Sequence, residues 1–210
     1  MKRYMPFVLL ALLALVATQA GAINLIQNGS FESNNFDNWA IGTTGNGTWG
    51  SGFPIVAPWP LGGGLNAAEG QVGEVNFTGQ QEGGTLTQSF MSAGGAATET
   101  LLWAAMGTGN ADGGEFTMIL NGVQIAQFDT GTINGLLNGS LSASVPLVAG
   151  LNTLEIDVTR RYVSGGGTPY QWVTGIDVEG PSSVPEPGSL ILMGSGVLGL
   201  AGVLRRKLGF

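Results

Sequence analysis

The chain has 210 residues, 14 Asp and Glu against 7 Lys and Arg, and neither histidine nor cysteine. That composition excludes Ser-His-Asp triads, thiol proteases, HExxH zinc sites and any disulfide framework, so stability rests on packing or on a bound metal. Between the two hydrophobic ends, residues 23–183 contain thirteen acids, no lysine and only Arg160 and Arg161 as cations, a formal charge of −11 that also removes Schiff-base chemistry. Such a domain repels phosphate backbones, which argues against a nucleic-acid partner, and attracts divalent cations.

Taken in order, residues 1–22 have the plan of a secretory signal peptide: Lys2 and Arg3, an apolar stretch over 7–17, then Ala20-Gly21-Ala22. Cleavage is expected after Ala22; an uncleaved anchor is the alternative, disfavoured by the short apolar stretch. About 160 residues follow, enough for one domain with a substantial core. Within residues 23–180, short runs of Val, Ile, Leu, Thr and Phe are punctuated by Gly, Asn, Ser and Pro, with no sustained helical period.

A first strand is expected over 23–27, leading to Asn28-Gly29-Ser30-Phe31-Glu32, and a second apolar element over 38–41. Residues 42–64, rich in glycine and carrying Trp49, Phe53 and Trp59, read as a long shaped loop. Strands are expected next over 71–77, 85–91 and 98–106, the last buried on both faces because of Leu101-Leu102-Trp103. Phe116, Met118 and Leu120 then alternate up to Asn121-Gly122, the preferred type I′ turn, and Val123, Ile125 and Phe128 lead away from it.

Beyond that hairpin, residues 141–147 and 154–158 alternate on either side of Gly150 and suggest a second antiparallel pair. A closing strand over 172–179 puts Ile176 and Val178 on one face and Asp177 on the other. Roughly eight or nine short strands in this length predict an all-β, jelly-roll-type two-sheet sandwich.

Two readings stand for Trp49, Phe53 and Trp59: exposed faces that stack on sugar rings, or plugs for the open end of a sandwich. Trp39 and Trp103 sit in apolar runs and read as interior. Asp112 and Glu115 could form an oxygen-rich loop, although a plain hairpin connection accounts for them better. A glycosidase needs two carboxylates about 5–10 Å apart, and nothing in the pattern singles out such a pair.

The end of the chain is the most specific stretch. Residues 181–188 hold Val184-Pro185-Glu186-Pro187, a stiff extended spacer. The uncharged residues 189–204 follow, reaching about 24 Å as a helix, a marginal membrane span. Residues 205–210 begin with Arg205, Arg206 and Lys207, which snorkel to the interface and place the C-terminus in the cytoplasm.

This order closely resembles the PEP-CTERM protein-sorting signal of Gram-negative bacteria. The resemblance implies export across the inner membrane, recognition by an exosortase, and a route from a membrane-anchored form to the envelope or extracellular matrix. A simple tail anchor is the alternative. The four Asn-x-Ser/Thr tripeptides, at Asn28, Asn46, Asn76 and Asn138, then carry no expectation of eukaryotic-type glycosylation.

A second resemblance covers most of the domain. Residues 25–32, Leu-Ile-Gln-Asn-Gly-Ser-Phe-Glu, with Trp39 and the stretch 149–154 are similar to the first and late strands of galactose-binding-like sandwiches and carbohydrate-binding modules. In those modules a structural calcium ion is held between an early acid and an acid of the last strand, and Glu32 and Asp177 match these places; the alternative is two solvated carboxylates at the sheet end. The expected function is therefore a non-enzymatic exported protein for surface or matrix interaction. A carbohydrate-binding module for exopolysaccharide is the alternative, and a carboxylate-based glycosidase a weaker third.

Overall fold

Glycines in the middle of two very long strands determine the architecture. The computed structural model describes residues 22–162 and 167–181. The expected signal peptide up to residue 21, the Pro-Glu-Pro spacer, the membrane segment and the basic tail lie outside the described residues.

Eleven strands run in chain order: β1 (Ile23–Asn24), β2 (Ala40–Thr43), β3 (Gly47–Thr48), β4 (Ile55–Pro58), β5 (Asn66–Gly70), β6 (Gly73–Glu74), β7 (Glu82–Asp112), β8 (Glu115–Leu120), β9 (Val123–Asp129), β10 (Thr132–Arg160) and β11 (Tyr170–Gly180). The described residues contain no helix. Nine strands share one hydrogen-bonded sheet, and β3 and β6 form a separate pair.

At 31 and 29 residues, β7 and β10 far exceed the usual strand length and pair with each other antiparallel almost throughout, from Glu82 opposite Arg160 to Asp112 opposite Thr132. Gly94, Gly95 and Gly150 lie at the same level of this ribbon with φ of 83°, 110° and 103°. Glycine reaches that left-handed region without the steric penalty of a Cβ, so the ribbon turns a corner there.

On one side of the corner, residues 82–93 pair with 149–160; β2 flanks β7, and β8 followed by β9 flank β10. On the other, residues 96–112 pair with 132–146, and β11 joins β7, followed by β5 and β4, with β1 beside the end of β11. The two layers meet face to face: Trp103 of the second stacks on Phe116 and Phe128 of the first, with centroids 5.1 and 4.6 Å apart. Leu86, Leu101, Phe116, Met118, Leu154, Ile156, Ile176 and Val178 are fully buried between them.

Several sequence expectations are corrected here. Residues 141–147 and 154–158 do not pair with each other; both belong to β10, and each finds its partner in β7. Gly150 is a corner, not a hairpin turn. The strand expected over 71–77 is replaced by β5 and β6, because the chain between them is held by other groups: Gln71 N–H donates to Trp49 O, and Val72 N–H to the side chain of Gln171. The loop 42–64 contains the short strands β3 and β4. Residues 98–106 do lie in a strand covered on both faces, with Leu101 and Trp103 toward the core and Ala104 under Trp59 and Trp172 on the other side.

The Asn121-Gly122 hairpin forms between β8 and β9, with φ of 51° and 78° at the two turn residues, as a type I′ turn requires. Gly122→Ala is expected to destabilise the domain by about 1 kcal/mol, because the added Cβ meets no neighbour and only the backbone conformation is penalised. Urea unfolding of the two proteins measures it.

Candidate functional site

The aromatics of residues 42–64 part company. Trp49 is 4% exposed; its indole lies flat over Gly84, where a Cβ would come within 2.0 Å of the ring, and its Nε1 donates to Gly42 O at 2.9 Å. It is a core residue, so the sugar-stacking reading fails for it, and glycine at 84 is the physical reason the indole fits inside. Trp59 is also buried, at 7% exposure, but on the outer face of the second layer, with Ala67, Ala104 and Trp172. It offers no open ring face. Trp39 and Trp103 are interior as expected.

Phe53 is half-buried and begins a row of rings that sequence reading missed. It meets Tyr170 edge-on at 6.1 Å, Tyr170 stacks on Trp172 at 5.7 Å, and Trp172 Nε1 donates to Glu69 Oε2 at 3.0 Å. Tyr170 stands opposite Met106, which stands opposite Leu136, and both of those are about two-fifths exposed, at 42% and 41%. The signal was available in the alternation of Tyr170, Trp172 and Thr174, but the closing strand was expected to begin only at Trp172.

Phase is then reversed within the same strand. The pairing of β11 with β7 shifts between Thr174 and Asp177, with Gly175 at φ 56°. This bulge turns Ile176 and Val178 inward and Asp177 outward. It also seats the first loop, since Ile176 N–H donates to Gly29 O at 3.0 Å and a Cβ at Gly29 would collide with Ile176 O.

That loop is closed by its own side chains. Asn28 Nδ2 donates to Asn35 O and Asp37 O, its Oδ1 accepts Ser33 N–H, and its main-chain O accepts the Trp39 indole N–H. Asp177 Oδ1 accepts the Asn24 amide, and exposed Glu32 accepts Ser30 N–H. Burial raises the Asp177 carboxyl above its ordinary range, and the charges of Glu179 and Glu32 raise it further. Glu32 and Asp177 therefore share one neighbourhood. Among the described residues no group of three or more His, Cys, Asp or Glu could hold a metal, so a calcium ion here would draw its remaining oxygens from amides and the main chain, a donor set calcium accepts.

Asp112 and Glu115 behave as a hairpin connection. Asp112 Oδ1 accepts Gly114 N–H at 3.0 Å and Oδ2 accepts Arg161 N–H at 2.8 Å, so both oxygens are turned back onto the chain. Two other carboxyls are strongly perturbed, both to about 7: Glu99 by burial in the core, and Asp157 by burial together with Glu155 and Glu115. They lie on different layers and form no pair.

The family model of the PEP-CTERM protein-sorting motif matches residues 183–207. The tail is a PEP-CTERM sorting motif. Val184, Pro185, Glu186 and Pro187, with Arg205, Arg206 and Lys207, fall within it, outside the described residues. Pro181, the last described residue, has a carbonyl that accepts Ala93 N–H and Ser92 Oγ at 3.3 Å, beside the glycine corner.

No curated protein matches the chain in sequence. Among solved structures it is similar to TmCBM61, determined in complex with β-1,4-galactotriose, at 12% identity over 74% of this chain and 97% of that one, with a TM-score of 0.47. It is also similar to the K3 cleaved adhesin domain of Lys-gingipain from Porphyromonas gingivalis, at 12% identity over 76% and 99%, with a TM-score of 0.47.

Proposed function

We propose that the chain is a non-enzymatic exported protein of a Gram-negative bacterium, delivered by an exosortase through its PEP-CTERM motif, whose sandwich acts in surface or matrix interaction. The observation that carries this is the sorting motif joined directly to a domain of −11 formal charge that lacks His, Cys and Lys. Residues 1–22 direct export, residues 189–204 anchor the chain in the inner membrane before processing, and the processed protein resides in the envelope or extracellular matrix. The scaffold reads as a jelly-roll-type sandwich because the folded β7–β10 ribbon contributes to both layers.

Binding of exopolysaccharide is the second reading, favoured by the half-buried rings of Phe53 and Tyr170, which the buried Trp172 backs. Polysaccharide pull-down separates the two: a carbohydrate-binding module loses retention in Tyr170→Ala, whereas a protein that meets the matrix by other means is retained by no polysaccharide. Glycosidase activity has the least support. It would appear as hydrolysis of the retained polymer.

Calcium between Glu32 and Asp177 is proposed as a structural ion. It would relieve the crowding of Glu32, Asp177 and Glu179, and binding to the folded form alone stabilises by about 2.7 kcal/mol at a hundredfold excess over the dissociation constant. EDTA is expected to lower the melting temperature and added Ca²⁺ to restore it, with the effect abolished in Asp177→Asn. An EDTA-insensitive melting curve removes the ion.

A further inference from the structure

The two most exposed aromatic rings among the described residues touch each other. Phe77 is 62% exposed and Tyr162 44%, with centroids 4.7 Å apart. Phe77 belongs to neither buried apolar cluster. Its backbone sits at φ 52°, a conformation costly for a bulky side chain, and its loop is fixed by polar contacts: Glu74 accepts the N–H and hydroxyl of Thr78, Asn76 Nδ2 donates to Asn46 Oδ1, and Val75 N–H donates to Asn46 O.

The only two cations of residues 23–183 immediately precede Tyr162. Arg160 is 7% exposed; its Nε donates to Val72 O at 2.7 Å and its guanidinium lies against Gly73, which ties it to the strand leading into the Phe77 loop. Arg161 is exposed, its main chain held by Asp112 and its side chain in solvent.

We propose that this corner binds a glycan whose repeat carries carboxylate groups, with a sugar ring against the Phe77–Tyr162 pair and Arg161 meeting the carboxylate. The C–H face of a pyranose suits an exposed aromatic surface, and the planar guanidinium suits a carboxylate. The domain's negative charge does not prevent it: beyond about 8 Å at physiological ionic strength charges are largely screened. Asp112 is engaged with main-chain N–H groups through both oxygens, and Glu74 with Thr78 through Oε2.

This rests on the second reading, of the domain as a polysaccharide-binding module. The test is affinity electrophoresis of the full chain in detergent, with polygalacturonate and neutral galactan as the polymers and EDTA present throughout. Retardation by polygalacturonate is expected, weakened about tenfold in Phe77→Ala and several-fold in Arg161→Gln, with melting temperatures unchanged. Equal retardation by galactan, or binding to polygalacturonate that Phe77→Ala leaves intact, overturns this site while leaving polysaccharide binding elsewhere standing. Retardation by neither polymer overturns the site and the carbohydrate reading together, and leaves sorting through the tail untouched.

Discussion

Glu99→Gln is expected to stabilise the domain at pH 8 by about 3 kcal/mol and to leave it nearly unchanged at pH 4. Glu99 lies on the core-facing side of β7 between Ala97 and Leu101, fully buried, and neither of its oxygens has a hydrogen-bond partner. Burial pushes its carboxyl up from 4.5 to about 7. The folded state therefore keeps a proton that the unfolded chain has released between those values, and stability present below pH 4.5 is lost as pH rises through 7.

Asp157 has the same sign, raised to about 7 by burial first and then by Glu155 and Glu115, so some slope persists in the single variant and is reduced further in Glu99→Gln with Asp157→Asn, Asp177 contributing to what is left. Urea unfolding at pH 5 and pH 8 measures both. If Glu99→Gln is destabilising at pH 8, or keeps the full wild-type slope, the carboxyl has a partner and the reasoning fails.

Glu99 also illustrates what sequence can reveal. Its place in the alternation Ala97, Glu99, Leu101, Trp103 was legible once residues 98–106 were read as a strand, since period two alone puts all four on one face. Asn121-Gly122 was legible for a similar reason: the turn chemistry is local and names its own geometry. Gly150 was not, because alternation on both sides of a glycine looks the same whether the chain reverses or bends, and only the partner strand decides.

Which of the two readings holds for Trp49 was undecided for a related reason. A glycine-rich segment exposes its aromatics only if no other backbone leaves room for them, and Gly84, thirty-five residues on, makes that room. The row of Phe53, Tyr170 and Trp172 joins residues more than a hundred positions apart through the pairing of β4 with β5 and of β5 with β11, which no local pattern encodes. The loop of Glu32 lies within the motif that suggested it, but its hydrogen bond to the last strand, Ile176 N–H to Gly29 O, is made beside a bulge at Gly175 that flips the phase of that strand.

The sorting tail carries the largest expected effect, all or none. In a cell with the matching exosortase, residues 184–187 are expected to be the recognition element and the mature protein to lose residues 189–210. In the sequence, Pro185 and Pro187 disfavour a helix over residues 184–187, and the basic cluster has the charge that the positive-inside rule assigns to the cytoplasmic side. Glu186→Ala is expected to trap the full-length form in the inner membrane. The decisive measurement is the intact mass of the protein recovered from outside the inner membrane, with and without exosortase. A mass lacking the basic tail, seen only when exosortase is present, is the predicted result; a complete C-terminus through Phe210 on the exported protein contradicts it and restores the simple tail anchor.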